Sequence, residues 1–279
     1  MVDAHVDEGR YRYYVWSKTT TVVTPVGIWF DTSSATGNPV PKYWFDATPL
    51  QAKQISQSSD GGIWHGSNVS PDFKFLRTTS LQCQAAAGLP MPMILCDYLL
   101  YYPTIDEGST DEQVMTQTQS LSRYTDGKGV QMLAISIAAR VGGQSFTVNY
   151  TNSEGVSGRI TPVVIENTVS VNGNIVTSNR ANASAANPFI PLQSGDSGVR
   201  SIESVTMLGI DTGLFTLILV KPLAHTLIYG IDAPVEVDWF INKKNPIRIY
   251  DDAFLNYLCC PLGSLNGVRI MGEMEYTWK

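Results

Sequence analysis

The chain has 279 residues, 43 % of them hydrophobic, which is enough apolar material for a packed core and excludes a disordered tail. A balance of 19 basic against 25 acidic residues, net −6, excludes an electrostatic nucleic-acid binder, and three histidines leave little for a histidine-built zinc or acid–base site. Only 16 % of residues are charged, against roughly a quarter in an average globular protein, so the surface must be covered by Ser, Thr, Asn and Gln or by other copies of the chain.

In chain order the sequence speaks mostly of strands. Residues 10–16 (RYRYYVW) and 19–23 (TTTVV) are β-branched or aromatic and too short for helices, and 28–31 is a further apolar scrap before a turn-rich stretch at 32–39. Thr48-Pro49-Leu50-Gln51 then reads as a helix start: Thr at the N-cap, Pro at the first helical position and Gln closing a capping box. That helix is expected to run through Ala52, Lys53 and Ile55 and to stop before Gly61-Gly62. Residues 93–102 form a nearly continuous apolar strand buried on both faces. A polar loop with Asp106, Glu107, Asp111 and Glu112 follows, with room for one helical turn capped by Thr110.

Glycine and asparagine turns next punctuate three strands, 130–138, 144–150 and 158–164, a meander or part of a Greek key. The polar stretch 166–188 reads as an exposed excursion with a hairpin at Asn172-Gly173. Strands at 202–208 and 214–221 follow. Residues 231–240 alternate, with Ile231, Ala233, Val235, Val237 and Trp239 on one side and Asp232, Pro234, Glu236 and Asp238 on the other. Residues 252–258 fit two helical turns ended by Pro261, and 269–278 is the last strand. The expected fold is all-β: a jelly-roll-like β-sandwich with an extended N-terminal arm or subdomain and a few short helices. Two pieces are expected, with a linker-like segment at 84–92 between them. Residues 1–85 form the arm and a small β-rich subdomain, and 86–279 the sandwich core. The arm, residues 1–17, is expected to reach a neighbouring copy.

The longest apolar run, 91–103, is interrupted by Asp97 and falls short of the roughly 18 residues of a bilayer span. Residues 1–14 carry Asp3, Asp7, Glu8 and Arg10 where a secretory signal needs an apolar core. A chain made in a cytosol, with no membrane partner, is therefore expected. Cys83, Cys96, Cys259 and Cys260 contain no C-x-x-C pair and are expected as free, buried thiols.

Three groups of residues carry candidate chemistry. Gly195-Asp196-Ser197-Gly198 has the look of a serine-nucleophile loop, with His65 the available base, but Val199 replaces the glycine of an oxyanion loop and a tight turn explains the string. The acidic loop 106–112 lacks the alternating spacing of a calcium loop and is expected as solvated. Asp232, Glu236 and Asp238 offer carboxylates at glycosidase-like separations, but a solvent-facing strand side explains the row without catalysis. No catalytic, cofactor or metal residue is assigned, and no cofactor is expected. Aromatics crowd the first quarter: Tyr11, Tyr13, Tyr14, Trp16, Trp29, Phe30, Tyr43, Trp44, Phe45 and Trp64. They serve packing against core or neighbouring subunits, or a carbohydrate platform. Lys243-Lys244 is the only clear basic doublet.

The strings Tyr124-Thr-Asp-Gly-Lys-Gly-Val-Gln-Met132, Gly195-Asp-Ser-Gly-Val-Arg-Ser-Ile-Glu-Ser-Val-Thr206 and Tyr257-Leu-Cys-Cys-Pro-Leu-Gly-Ser264 resemble a family of virion structural proteins of tailed bacteriophages. The resemblance covers roughly residues 90–279. It implies a head-associated, non-enzymatic structural protein of the virion, a capsid decoration or cement protein. Its partners would be copies of itself, in a closed ring such as a trimer, and the major capsid protein or other virion proteins, without nucleic acid. The chain departs from the major-capsid pattern in having no long spine helix and no α/β alternation, which favours an accessory role. The alternatives are a carbohydrate- or receptor-binding β-sandwich of a tail fibre or baseplate, and a tail or connector component.

Overall fold

The structure, a computed structural model, describes residues 9–24, 26–141, 143–177 and 187–279. Its strands are, in the first part of the chain, β1 (Tyr11–Thr19), β2 (Phe30–Asp31), β3 (Thr36–Asn38), β4 (Lys53–Gln54), β5 (Lys74–Cys83), β6 (Met91–Asp106) and β7 (Gln113–Val114). The middle supplies β8 (Gln131–Ser136), β9 (Arg140–Val141), β10 (Ser145–Asn152), β11 (Arg159–Ile160), β12 (Val164–Ile165) and β13 (Val169–Ser170). The last part supplies β14 (Val199–Met207), β15 (Leu214–Ile228), β16 (Val235–Asp238), β17 (Ile247–Ile249), β18 (Leu255–Cys259) and β19 (Arg269–Trp278). All pairings between them are antiparallel, and the described helical residues are two single 3₁₀ turns, Thr32–Ser34 and Ala86–Gly88. The fold class is the all-β sandwich read from the sequence.

Three larger sheets are built, ordered β16-β5-β19-β1-β3, β2-β18-β6-β15-β8 and β11-β10-β14-β7, with the short β17, β4 and β12 attached to them. The second sheet is central. Its two long strands pair over almost their whole length, from Leu214 opposite Asp106 to Ile228 opposite Met91. A register shift places Leu99 as an extra residue in β6, and this bulge changes which residues of β6 face which way. Met91, Met93 and Leu95 enter a core shared with Trp16, Leu76 and Leu81 of the first sheet. Leu99, Leu100 and Tyr102 enter a second core with Phe146, Val148 and Ile202 of the third sheet. Cys96, Tyr98 and Tyr101 turn to the opposite face, where Trp29, Trp44, Ile55 and Ile175 cover them. One sheet thus forms two sandwiches and is roofed by connecting segments, which explains a run apolar on both sides.

Two charges are buried in this centre, and each is surrounded by donors. Asp97, which interrupts the apolar run of β6, receives Arg123 Nε at 2.9 Å and Nη2 at 2.8 Å and the Phe254 amide at 3.0 Å. Asp31 accepts from Trp44 Nε1 at 2.6 Å, Tyr98 Oη at 2.8 Å and the Ser33 amide at 3.1 Å. Paired and hydrogen-bonded in this way, a buried carboxylate is tolerated.

Several expectations are corrected. Residues 48–60 form no helix. Thr48 turns its amide to Asp46 Oδ1, Leu50 is left-handed at φ 59°, and Ala52 and Ile55 send their amides to the Thr116 and Leu99 carbonyls. Residues 252–258 are not helical either, because all five residues of β18 are buried and pair with β6. Thr110 caps no helical turn. Within the excursion 166–188, residues Asn174, Ile175 and Val176 are buried against Trp29 and β8, and residues 178–186 lie outside the described ones. The expected division near residue 85 does not separate sheets, since β1 and β5 pair with β19 and β5 also pairs with β16. The described part of the arm is β1 itself, held between β19 and β3, while residues 1–8, with His5, lie outside the described residues.

Candidate functional site

The structure does not bring the serine and histidine candidates together. Ser197 Oγ lies 2.9 Å from Ser153 Oγ and 3.4 Å from Glu154, while Asp196 ties its turn to Asn152 at 2.8 Å, to Arg159 at 3.0 Å and to the Tyr150 hydroxyl. This is the tight turn expected from the sequence. His65 is fully buried elsewhere, with Nε2 2.9 Å from the Ala253 carbonyl and Nδ1 3.1 Å from Lys74 Nζ. An ammonium can only donate, so the imidazole is neutral and carries its proton on Nε2. Burial, reinforced by the Lys74 charge, holds its pKa down to about 3.

The carboxylate row is not a strand face. β16 is short, Asp232 precedes it in a left-handed conformation at φ 50°, and Ile231, expected on the inner side, is exposed. Asp238 Oδ1 is occupied by the amides of Phe240 at 2.9 Å and Ile241 at 2.7 Å. Lys243 and Lys244 stand on the surface. The acidic loop is only partly solvated: Asp106 and Asp111 are exposed, whereas Glu107 is buried against Arg140 of β9, with Glu166 and Asp211 nearby. Sequence reading missed this cluster, because its members come from four segments distant in sequence. Burial, with Arg140 pulling the other way, pushes the Glu166 carboxyl up to about 8.

The aromatic crowd separates into two roles. Trp16 stacks on Tyr257 with centroids 5.1 Å apart, and Trp44 stacks on Tyr98 at 5.4 Å, both inside the core. Tyr43 and Phe45, on either side of Trp44, are 68 % and 62 % exposed. Alternation along this extended segment explains the difference. The buried Trp44, fixed by its hydrogen bond to Asp31, therefore presents two aromatic rings outward on a rigid base. They rim a groove of about 190 Å³ whose walls include Val22, Phe30, Ala35 and Ile137. Val23, Val26 and Val40, from segments adjoining it in the chain, are also more than half exposed. So much exposed apolar side chain on one stretch of sequence is unusual for a surface that meets only water. Trp64, 46 % exposed, is a separate exposed aromatic.

A larger basin of about 640 Å³ is walled by Gln117, Thr118, Gln119, Ser120 and Arg200. Its one cation is already committed, since Arg200 donates to the Asp126 and Ser153 carbonyls. Cys83, Cys96 and Cys259 are free and buried, and burial raises each thiol's pKa. Among the described residues no helix is long and apolar enough to cross a membrane.

The fold and this surface define an all-β sandwich protein with an aromatic-rimmed apolar groove. No known protein family matches the chain, and no curated protein does. Among solved structures it is similar to a chain of the infectious bursal disease virus Gt strain, at 8 % identity and a TM-score of 0.19 over 96 % of this chain and 80 % of that one. It is similar also to the VP2 subviral particle of the same virus, at 9 % identity and a TM-score of 0.19 over the same shares. Likenesses at that level bear on neither fold nor function.

Proposed function

We propose that the protein is a non-catalytic structural component of a bacteriophage virion, a capsid decoration or cement protein that associates with copies of itself and with the capsid shell. The observation that carries this reading is the Tyr43–Phe45 face: large apolar rings, stiffly mounted beside a groove, on a chain with few charges to solvate it. Contact between such faces removes apolar area from water at roughly 25 cal/mol per Å² while ordering few side chains. The bacteriophage assignment rests on the sequence resemblance over residues 90–279. The second reading, a carbohydrate- or receptor-binding module, has the exposed Trp64 in its favour, since sugars dock on open aromatic faces.

Light scattering on the purified protein, with co-sedimentation on capsid shells, tests the proposal. Wild type is expected as an oligomer that sediments with shells. The double variant Tyr43→Ser, Phe45→Ser changes only exposed side chains and is expected as a folded monomer that stays in solution. A wild type that is monomeric at high concentration and does not bind shells would defeat the proposal, and binding on a glycan array lost with Trp64→Ala would favour the second reading.

A further inference from the structure

Four segments distant in sequence meet at one buried point. Glu107 follows β6, Arg140 begins β9, Glu166 follows β12, and Asp211 lies in the turn before β15. The side chains of Glu107, Arg140 and Glu166 are entirely removed from solvent, and Asp211 is half-buried. Arg140 donates from Nε to Glu107 at 2.8 Å, from Nη1 to the Asn167 carbonyl at 3.1 Å, and from Nη2 to Glu166 Oε2. Asp211 accepts the Gly143 amide at 3.1 Å and that of Thr212 at 2.7 Å.

These contacts leave the cluster incomplete in charge and in partners. With all three carboxyls ionised, one guanidinium faces an excess of two negative charges, and desolvation makes that excess expensive, which is the pressure that pushes the Glu166 carboxyl up. Glu166 Oε1 is buried without a hydrogen-bond partner among the described residues. Glu107 Oε1 touches Arg140 Nε at 2.8 Å with no aligned N–H, and Asn167 Oδ1, on the next residue to Glu166, is orphaned as well. Orphaned buried acceptors are uncommon in folded proteins and call for a missing partner. One oxygen from each of Glu107, Glu166 and Asp211 lies within 4.8 Å of the others. Three oxygens within 4.8 Å of one another share a centre no more than about 2.8 Å from each, so shifts of a few tenths of an ångström bring all three to the roughly 2.3–2.6 Å of calcium ligation.

We propose that Glu107, Glu166 and Asp211 form a binding site for one hard divalent cation of calcium size. A charge of +2 balances the excess that three ionised carboxyls hold over Arg140 and gives Glu166 Oε1 the partner it lacks. Calcium fits better than magnesium, because it accepts irregular oxygen sets and sheds its waters more readily. The ion would tie together the loop after β6, the turn before β15 and the neighbourhoods of β9 and β12.

The test is calorimetric titration of chelator-treated full-length protein with calcium chloride, together with melting curves in calcium and in EDTA. One ion per chain is expected, with a melting temperature that rises in calcium and falls back in EDTA. Glu166→Gln and Asp211→Asn are each expected to weaken calcium binding at least tenfold, and Asp111→Asn, in the exposed part of the same loop, is expected to leave it unchanged. Asp211 is only half-buried, so its variant keeps the comparison open should Glu166→Gln fail to fold. No calcium response in wild type up to about millimolar calcium, or undiminished binding in the variants, overturns the site. A wild type blind to calcium alongside a stabilised Glu166→Gln also overturns it, since the orphaned oxygen would then hold a proton.

Discussion

His65 illustrates what a single residue does here. It donates to the Ala253 carbonyl and accepts from Lys74, and the second contact requires the neutral ring. Its folded-state pKa of about 3 lies below the 6.5 of an unfolded chain, so the unfolded state takes up a proton first as pH falls. The stability it contributes is complete above pH 6.5 and is lost progressively towards pH 3. Relative to His65→Gln, wild type should lose about 1.4 kcal/mol for each pH unit inside that window, measured as urea midpoints across a pH series. Parallel curves for the two proteins would mean that the fold does not depress the ring's pKa. At this scale the sequence was poorly legible. Nothing in Trp64-His65-Gly66 announces Lys74, nine residues away, and Arg140 meets Glu107 across 33 positions through folding alone.

Strands were far more legible than helices, because period-two alternation is written into the residues that build a half-buried surface. β10 and β19, both read from the sequence, alternate between inward and outward positions, whereas β5, which the sequence reading passed over, breaks its alternation at a bulge at Arg77. The helix signals failed for a different reason. Thr48-Pro49-Leu50-Gln51 satisfies local capping preferences, but Ala52 and Ile55 gain more by burial on β6, and tertiary packing overrides a weak local preference. Alternation also says nothing about spacing between layers. Gly272 in β19 pairs with Trp16 on one side and Leu81 on the other, and a Cβ there would come within 2.8 Å of Trp16 Cε2 and 2.7 Å of Leu81 Cδ2. Gly272→Ala is therefore expected to cost about 1–3 kcal/mol through overpacking, read from the urea midpoint. An unchanged midpoint would show that Trp16 shifts without cost.

For the whole molecule, composition was a good guide to the all-β class and a poor one to its subdivision. The alanine- and proline-rich segment 84–92 looks like a linker, yet it only turns the chain between β5 and β6, whose sheets pack on each other. β19 lies between β5 and β1, so the piece 86–279 alone has neither of its neighbours. Expressed alone, residues 86–279 are expected to show no cooperative melt by circular dichroism, while the full chain melts in one transition. A stable, cooperative 86–279 fragment would contradict this.

The same arrangement constrains how the chain is made. Tyr11 and Glu275, joined by a hydrogen bond in the finished sheet, are 264 residues apart. At about 5–20 residues per second, β1 leaves the ribosome roughly 10 to 50 s before its partner exists. Throughout that wait Trp16 and the backbone groups of β1 are bare, in a nascent chain with little charge to keep it from its neighbours. The topology thus makes β19 the strand that completes the cover over Trp16 and closes the first sheet.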